Sequence, residues 1–264
     1  MSFFPALRPG LLSAATLFTS HTIASNSFID PLTSFDQELW WKSNGWSNGF
    51  PFNNRWEESS IITDNNGMHI LLNKAPTTDS HFEFRSGELR SHNFYGYGCF
   101  EAEIKPIAKS GVITSFFLFA GPYDKPEGGN GQHNEIDIEF LGNNTNAVQL
   151  NFWTNDDQYL SSNETLIYLD FDASEAFHRY GIKWTKRAIR WYVDGKLVHH
   201  AKNSGAVPTP SAKDSKLRIM ANVWPTDERI SNWAGLFDTN SKLALTASYR
   251  NIRYKAGRKC KFKP

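Results

Sequence analysis

Residues 135–139 read Glu-Ile-Asp-Ile-Glu, and this strict alternation of charged and apolar residues constrains the fold of the chain more than any other segment. Successive side chains of a β-strand point to opposite faces, so Glu135, Asp137 and Glu139 share one face while the two isoleucines share the other. The apolar run after Glu139 stops at Gly142, as expected for a strand that ends in a turn. The segment therefore predicts a strand with one face in a hydrophobic core and three carboxylates on the other.

Three carboxylates on one strand face repel one another, and strands are not ordinarily stabilised in this way. In a shared site this repulsion forces the pKa values apart, so that one carboxyl group keeps its proton while another is ionised. A proton donor and a nucleophilic carboxylate are the two groups that glycoside hydrolysis requires. The segment therefore predicts a glycosidase site. The alternatives are a solvated edge strand and a cluster of calcium ligands.

Other short strands are predicted from alternating or aromatic-rich segments, with turn residues such as Asp194-Gly195 between several of them. The predicted strands are Met68–Leu72, Gly98–Ile104, Ile113–Phe119, Glu135–Phe140, Val148–Trp153, His178–Trp184, Ala188–Val193, Lys216–Val223 and Ala247–Tyr254. One helical turn is predicted at Asp172–Phe177, and a loop at Pro122–Gln132. Short strands at this spacing predict an all-β sandwich or jelly roll.

Composition narrows the function classes. With 264 residues, of which 40% are hydrophobic, the chain can bury one large core. A net charge of +1 and the lack of a long basic run give no reason to expect a nucleic-acid partner. No apolar segment reaches the roughly 20 residues needed to span a bilayer. His199-His200 has no Cys or carboxylate at metal-ligand spacing, so no catalytic zinc is predicted.

Residues 1–25 resemble a secretory signal peptide, because Arg8 precedes a largely apolar stretch and small residues stand at Ala24 and Ser25. We expect this segment to be removed and residues 26–264 to form a single domain that works in a secreted or periplasmic location, without a membrane. A merely disordered N-terminus is the alternative reading.

Secretion would permit a disulfide between the two cysteines, Cys99 and Cys260. Their positions in the sequence do not establish that their Cα atoms come within bonding distance. Whether they pair is therefore left open by the sequence.

The segment from His133 to Gly142 resembles the active-site strand of glycoside hydrolase family 16, a group of retaining endo-glucanases and related transglycosylases. The laminarinase branch of that family has one extra residue before the last Glu, and this chain lacks it. The resemblance covers roughly Phe35 to Tyr254. Further matching segments follow in the order of bacterial licheninases: Asn44-Gly45-Trp46-Ser47-Asn48-Gly49, Ser86-Gly87-Glu88-Leu89-Arg90, Tyr95-Gly96-Tyr97-Gly98, Ser115-Phe116-Phe117, Val148-Gln149-Leu150-Asn151, Trp191-Tyr192-Val193-Asp194-Gly195 and Asn222-Val223-Trp224.

The resemblance implies a concanavalin-like jelly-roll sandwich of two antiparallel sheets with a concave substrate cleft. It also implies that Glu135 is the nucleophile, Glu139 the general acid/base and Asp137 the residue that tunes their protonation. The positions that align with sugar-contacting residues are Asn48, Glu88, Arg90, Asn151, Trp153, Asn222, Trp224 and Trp233. Glu88 has an alternative role as a structural partner of Arg90.

Three aromatic residues are read from their strands. Phe117 and Phe119 are candidates for the floor of the cleft, with ordinary strand packing as the equal alternative. Trp191, in an apolar run, is expected in the core rather than in the groove.

The activity implied is hydrolysis of a β-glucan with retention, with mixed-linkage β-1,3-1,4-glucan favoured and a related bacterial exopolysaccharide next. Transglycosylation of the xyloglucan type, and carbohydrate binding by a non-catalytic lectin, are the alternatives. No cofactor is expected to be required. A structural calcium is common in the resembled family, and its ligands cannot be assigned here. A monomer is expected.

Two residues depart from the licheninase pattern. His133 stands where several licheninases have Trp, and it matches the His before the same strand in xyloglucan transglycosylases; the alternative is a loop histidine without a role. Asn134 stands where most members have Asp. Because a nearby acid makes ionisation of the carboxyl groups harder, we expect the acidic limb of the pH–rate profile to lie lower than in an Asn134→Asp variant.

Overall fold

The computed structural model describes residues 27–75, 82–238, 244–257 and 259–262. The predicted signal peptide, residues 1–25, lies outside these ranges. The strands are β1 (Ser27–Asp30), β2 (Trp40–Lys42), β3 (Arg55–Trp56), β4 (Ile61–Asp64), β5 (Gly67–Lys74), β6 (Phe84–Ser86), β7 (Glu88–Tyr95), β8 (Gly98–Lys105), β9 (Val112–Ala120), β10 (Asn134–Leu141), β11 (Ala147–Thr154), β12 (Thr165–Tyr168), β13 (His178–Thr185), β14 (Ala188–Val193), β15 (Lys196–Lys202), β16 (Leu217–Pro225) and β17 (Leu245–Ala256). A short helix, α1 (Ser231–Ala234), and 3₁₀ turns at Glu58–Ser60 and Glu228–Ile230 complete the elements.

The described strands form two sheets. The seven-stranded sheet has the order β12-β11-β10-β9-β16-β7-β2, and all its pairs are antiparallel. The ten-stranded sheet has the order β15-β14-β13-β8-β17-β5-β6-β3, with β1 beside β17 and β4 beside β5. Its short β3–β6 pair is parallel, and its other pairs are antiparallel. The predicted all-β jelly-roll sandwich is confirmed.

The core lies between the two sheets and is built by alternation. On β10, Ile136, Ile138 and Phe140 are fully buried and belong to the main hydrophobic cluster. Their neighbours Glu135 and Glu139 point to the other face of the sheet, where they remain partly accessible. We call this outer side of the seven-stranded sheet the carboxylate face.

Two buried side chains of the ten-stranded sheet reach through the core to the backbone beneath the carboxylate face. Trp191 of β14 donates its Nε1–H to the carbonyl oxygen of Asp137 at 3.0 Å. The hydroxyl of Tyr249 of β17 donates to the carbonyl oxygens of Ser115 (3.0 Å) and Asn222 (3.2 Å). Trp191 therefore lies in the core as predicted. Both side chains also fix the backbone of the strands that carry the polar outer residues.

The disulfide left open by the sequence is present. Cys99 of β8 bonds to Cys260, with a Cα–Cα distance of 5.9 Å and a sequence separation of 161. It ties the segment after β17 to the middle of the ten-stranded sheet.

All nine predicted strands are present, and their ends differ from the predicted ones by at most two residues. Eight of the described strands were not predicted: β1, β2, β3, β4, β6, β7, β12 and β15. On β7 only Leu89 is apolar among the first six residues, so the alternation has almost no hydrophobic half. The prediction of a helical turn at Asp172–Phe177 was wrong. A hydrogen-bonded turn forms there instead, because the Asp172 carboxylate accepts the backbone N–H of Ser174 at 2.8 Å.

No helix in the described part of the chain is long and apolar enough to cross a membrane.

Candidate active site

The antiparallel register places the three carboxylates of β10 in three parallel rows across the carboxylate face. Each row runs from β11 through β10 to β9, because residues that are directly opposite share a sheet face. The rows are Trp153–Glu135–Phe119, Asn151–Asp137–Phe117 and Gln149–Glu139–Ser115. The register therefore brings Asn151 and Trp153 beside the carboxylates, and Phe117 and Phe119 lie on the same face.

The middle carboxylate is the most buried. Asp137 is only 4% exposed although it points away from the core. Burial raises the pKa of Asp137 well above its usual range, and the charges of Glu135 and Glu139 and a hydrogen bond with Glu135 raise it further. The raised pKa favours the protonated form of this carboxyl group. Asp137 can therefore donate that proton in its hydrogen bond to Glu135.

Glu139 has a second raised pKa. Burial is the largest cause and the charge of Glu135 adds to it, while the hydrogen bond from Gln149 acts in the opposite direction; together they raise the pKa to about 8. The Gln149 amide donates to Glu139 Oε2 at 3.1 Å. The charge of Glu164, at the end of the loop after β11, also raises the pKa values of Asp137 and Glu139. Glu139 is therefore a proton donor at neutral pH.

Glu135 has a different environment, because His133 lies against it. The Nε2 atom of His133 is 2.5 Å from Glu135 Oε2, and the imidazole is 2% exposed. A carboxylate only accepts hydrogen bonds, so the ring carries its proton on Nε2 and donates it. Burial lowers the pKa of His133, but the hydrogen bond and charge of Glu135 outweigh it and the net direction is upward. His133 is therefore no unattached loop histidine.

Aromatic rings surround this pair. The His133 ring lies 5.9 Å from Trp153 in a stacked arrangement and 4.6 Å from Tyr159, measured between ring centroids. Tyr159 packs edge-on against Trp153 at 5.4 Å and is still 63% exposed. These rings form an accessible apolar surface beside Glu135, which suits the flat face of a sugar ring.

Three of the predicted groove residues form a buried polar network on β7 and β16. Glu88 is 1% exposed and accepts hydrogen bonds from Ser43 Oγ (2.7 Å), Arg90 Nε (2.8 Å) and Asn222 Nδ2 (3.0 Å). Asn222 in turn accepts the hydroxyl proton of Ser115, which belongs to the Glu139 row. Glu88 is thus a structural partner of Arg90, as the alternative reading had it, within reach of the carboxylate rows.

Arginines continue the network towards the predicted loop before β10. Arg90 Nη1 contacts Asp124 Oδ2 at 2.9 Å, and Arg218 Nη2 contacts Asp124 Oδ1 at 2.5 Å. The Arg90 guanidinium also lies over Trp46, 4.9 Å from the ring centroid. Two arginines therefore hold one loop carboxylate over the sheet.

The remaining predicted groove residues lie at the other end of the face. Trp224 packs against Trp233 at 6.1 Å between ring centroids, within a second hydrophobic cluster. Trp233 donates its Nε1–H to Gln149 Oε1 at 2.9 Å, so it connects to the Glu139 row. Asn48 accepts the Nε1–H of Trp56 at 2.8 Å and is itself exposed.

Two asparagines have their amides engaged. Asn151 accepts the backbone N–H of Asn163 at 2.7 Å, which holds the loop after β11. Asn134 bonds Asn155 through both amide atoms, at 2.9 and 3.2 Å. The expected effect of Asn134 on the acidic limb of the pH–rate profile stays a prediction.

Sequence reasoning missed several side chains of this face: Trp41, Asp124, Gln149, Tyr159, Arg218 and Met220. Arg218 and Met220 could have been found, because they alternate with Asn222 and Trp224 along one strand. Asp124 and Tyr159 belong to loops, and no periodicity marks them.

Among the described residues, no group of three or more His, Cys, Asp or Glu side chains could hold a metal ion. The absence of a required cofactor, and a structural calcium elsewhere, stay predictions.

The geometry thus provides a protonated carboxyl group and a hydrogen-bonded carboxylate on one face, flanked by polar and aromatic groups. Residues 48–242 match the family model described as Glycosyl hydrolases family 16. The chain belongs to this family. The protein is thus a glycosidase with a jelly-roll fold.

Relatives and solved structures agree with this family 16 assignment. A beta-glucanase of Paenibacillus polymyxa is 36% identical over 253 residues, which are 96% of this chain and 97% of the relative. The structure of a Bacillus licheniformis beta-glucanase has a TM-score of 0.75 at 34% identity, covering 89% of this chain and 100% of that one. A prokaryotic beta-1,3-1,4-glucanase (lichenase) derived from a mouse hindgut metagenome has a TM-score of 0.76 at 33% identity, covering 87% and 98%.

Transglycosylases are more distant from this hydrolase. One such structure has a TM-score of 0.68 at 19% identity, covering 88% of this chain and 84% of that one. This likeness shows the shared fold alone.

Proposed function

We propose that the protein is a retaining endo-β-glucanase in which Glu135 is the nucleophile and Glu139 the general acid/base. One observation carries the proposal: two glutamates on the same strand face differ in environment, since Glu139 has a pKa raised to about 8 while Glu135 accepts a hydrogen bond from His133. A double displacement needs this division between a proton donor and a carboxylate.

In the first step Glu139 gives its proton to the glycosidic oxygen while Glu135 attacks the anomeric carbon. The bond to the leaving sugar breaks, and an ester bond forms between Glu135 and the glucan fragment. In the second step Glu139, now a carboxylate, takes a proton from water as the water attacks the same carbon. The ester breaks, Glu135 is released as a carboxylate, and Glu139 is protonated again.

Asp137 has the tuning role in this scheme. Burial and the negative charges of Glu135 and Glu139 favour its protonated form. Its hydrogen bond draws the Glu135 carboxylate along the strand towards Asp137. Along a strand the Cα atoms of Glu135 and Glu139 are about 13 Å apart, from a rise of roughly 3.3 Å per residue. A side chain that leans over Asp137 shortens the gap between the two reacting carboxyl groups, which a retaining mechanism needs to be about 5 to 5.5 Å.

The favoured substrate is mixed-linkage β-1,3-1,4-glucan, with a related bacterial exopolysaccharide next. The similarity to beta-glucanases supports a β-glucan as the substrate. The similarity to a beta-1,3-1,4-glucanase (lichenase) supports the mixed linkage. The continuous alternation of β10, without an inserted residue before Glu139, agrees with the licheninase branch. Asn48, Glu88, Arg90, Asn151, Trp153, Asn222, Trp224 and Trp233 are the proposed substrate-binding residues, with Glu88 acting through Arg90 and Asn222, which it holds. Secretion after removal of residues 1–25, and a monomeric state, are part of the same proposal.

A reducing-end assay across lichenan, laminarin, xyloglucan and a succinoglycan-type polymer tests the substrate. We expect lichenan to give the highest kcat/KM, with products whose early NMR spectra show the β-anomer. An α-anomer at early times would exclude the double displacement. Formation of longer chains from added oligosaccharides, in preference to reducing ends, would favour transglycosylation.

A further inference from the structure

A basic groove lies on the side of the molecule opposite the carboxylate face. On β13, Tyr180, Ile182 and Trp184 are buried in the core, so the alternate residue Lys183 points outward from the ten-stranded sheet. The register places Arg190 of β14 directly opposite Lys183, and His200 of β15 directly opposite Arg190. Two cations thus face each other on neighbouring strands. The imidazole of His200 follows on the third strand, with a pKa that burial and the charges of Arg190 and Lys202 lower.

Further cations complete this groove. Lys186 and Arg187 occupy the turn between β13 and β14, and Lys202 lies near the end of β15. Together with Lys183 and Arg190 they are five of the nine residues that line a groove with a volume of about 920 Å³. The other lining groups include Tyr97 and Asn203.

Within the described residues, no carboxylate lies within 4.0 Å of the charged nitrogens of these five side chains. Burial lowers the pKa of Lys183, and the charges of Arg190 and Lys261 lower it further. Like charges that face each other across strands destabilise a sheet. Lys183 is nevertheless held in place, since its ammonium group donates to the carbonyl oxygen of Cys260 at 2.8 Å.

A folded chain with a formal net charge of +1 therefore concentrates uncompensated positive charge in one recess. We propose that this groove binds an anionic segment of an acidic polysaccharide, such as a chain that carries uronate carboxylates. A bound polyanion would remove the repulsion between the facing cations.

The lining favours a polysaccharide over other polyanions. Membrane docking uses large apolar side chains beside the cations. None of the nine lining residues is a Leu, Ile, Val, Met, Phe or Trp. A single-stranded nucleic acid needs several aromatic stacking platforms, whereas this groove has Tyr97 alone. Hydroxyl and amide groups at Thr185 and Asn203 suit sugar hydroxyls.

The test is affinity electrophoresis of the full chain in gels that contain polygalacturonate, with neutral dextran as the comparison polymer. The variant combines Arg187→Gln, Arg190→Gln and Lys202→Gln and keeps Lys183, whose ammonium supports Cys260. The matched control combines Lys74→Gln, Lys105→Gln and Lys109→Gln, which removes the same charge outside the groove. Activity on glucan and the thermal transition show that both variants fold, and binding to polygalacturonate does not depend on catalysis.

We expect the chain and the control variant to be retarded by polygalacturonate at low salt and not by dextran. The groove variant should bind about tenfold more weakly or worse, and high salt should release the parent chain, because its contacts are electrostatic. Equal retardation of the groove variant and the control would overturn the site. Equal or tighter binding of anionic phospholipid vesicles or single-stranded DNA, lost in the same variant, would overturn the polysaccharide assignment.

Discussion

At the scale of single residues, the environments of the two glutamates differ through contacts that the sequence shows only in part. The alternation in residues 135–139 predicts that the carboxylates share a face, and the register confirms it. The 2.5 Å contact between His133 and Glu135 could not be predicted, because His133 precedes the strand and its orientation depends on Trp153 and Tyr159 from other segments.

The first residue-scale prediction concerns the proton on Glu139. A pKa raised to about 8 means that the proton donor is present at neutral pH and is lost as the pH rises through about 8, so this group sets the alkaline limb of kcat/KM. In a Glu139→Ala variant, turnover of lichenan should fall by about 10²- to 10⁴-fold, and that limb should disappear. Activated aryl glycosides with added azide should regain rate and give a β-glycosyl azide. If azide forms no such product, Glu139 has another role.

The second prediction concerns His133. Replacement by Phe keeps a flat ring against Trp153 but removes the donor to Glu135, and a hydrogen bond to a carboxylate stabilises its charged form. We expect the acidic limb of kcat/KM to move to higher pH in His133→Phe, and His133→Gln, which keeps an N–H donor, to recover part of the shift. The dependence of kcat/KM on pH, measured for the parent protein, His133→Phe and His133→Gln, tests this expectation. Superimposable acidic limbs would show that His133 only packs.

At the scale of elements, the alternation of apolar and polar residues predicted a strand where one face of that strand is apolar, and it failed to predict the other strands. Strands β9, β10, β11 and β16 have a buried apolar half and were predicted. Strand β7 was missed as a strand because Leu89 is the only apolar residue among its first six, although the resemblance gave Glu88 and Arg90 as groove positions. The loop carboxylate of Asp124, which bridges two arginines, follows from the way the loop folds back over the sheet and not from any pattern.

The prediction at this scale tests how the ten-stranded sheet supports the site from behind. Trp191→Phe preserves an aromatic ring in the core but removes the hydrogen bond to the Asp137 carbonyl. We expect a loss of about 1 to 3 kcal/mol in the free energy of unfolding, since a buried acceptor loses its partner and a smaller ring leaves space. Urea unfolding monitored by circular dichroism measures it. A stability equal to that of the parent protein would show that this bond contributes nothing.

At the scale of the whole molecule, the sandwich has a polar face for the proposed glucan and a basic groove on the opposite side. The all-β class and nine of the seventeen described strands followed from the sequence, because those strands have an apolar core face. The burial of Asp137 did not, since alternation indicates only which face a side chain shares and not how far its neighbours cover it. The basic groove was also missed, because its cations belong to separate strands and never form a run in the sequence.

The disulfide gives the whole-molecule prediction. Cys99 and Cys260 close a loop with a sequence separation of 161, so the bond removes much conformational freedom from the unfolded chain. The double variant Cys99→Ser/Cys260→Ser should lose about 2 to 5 kcal/mol in the free energy of unfolding while kcat at 25 °C stays close to that of the parent, because the bond lies away from the carboxylates. Thermal unfolding with and without a reductant checks this. An unchanged melting temperature in the variant would contradict it.

The proposed double displacement requires that Glu135 forms a covalent bond with the sugar. The most direct measurement incubates the enzyme with an activated 2-deoxy-2-fluoro glycoside of a glucan oligosaccharide, whose electron-withdrawing fluorine slows release of the intermediate, and maps the labelled peptide by mass spectrometry. We expect one adduct, on Glu135, that is lost in Glu135→Gln and is released by an acceptor sugar. An adduct on Glu139 or Asp137, or full inactivation without any adduct on the strand from Asn134 to Leu141, would contradict it.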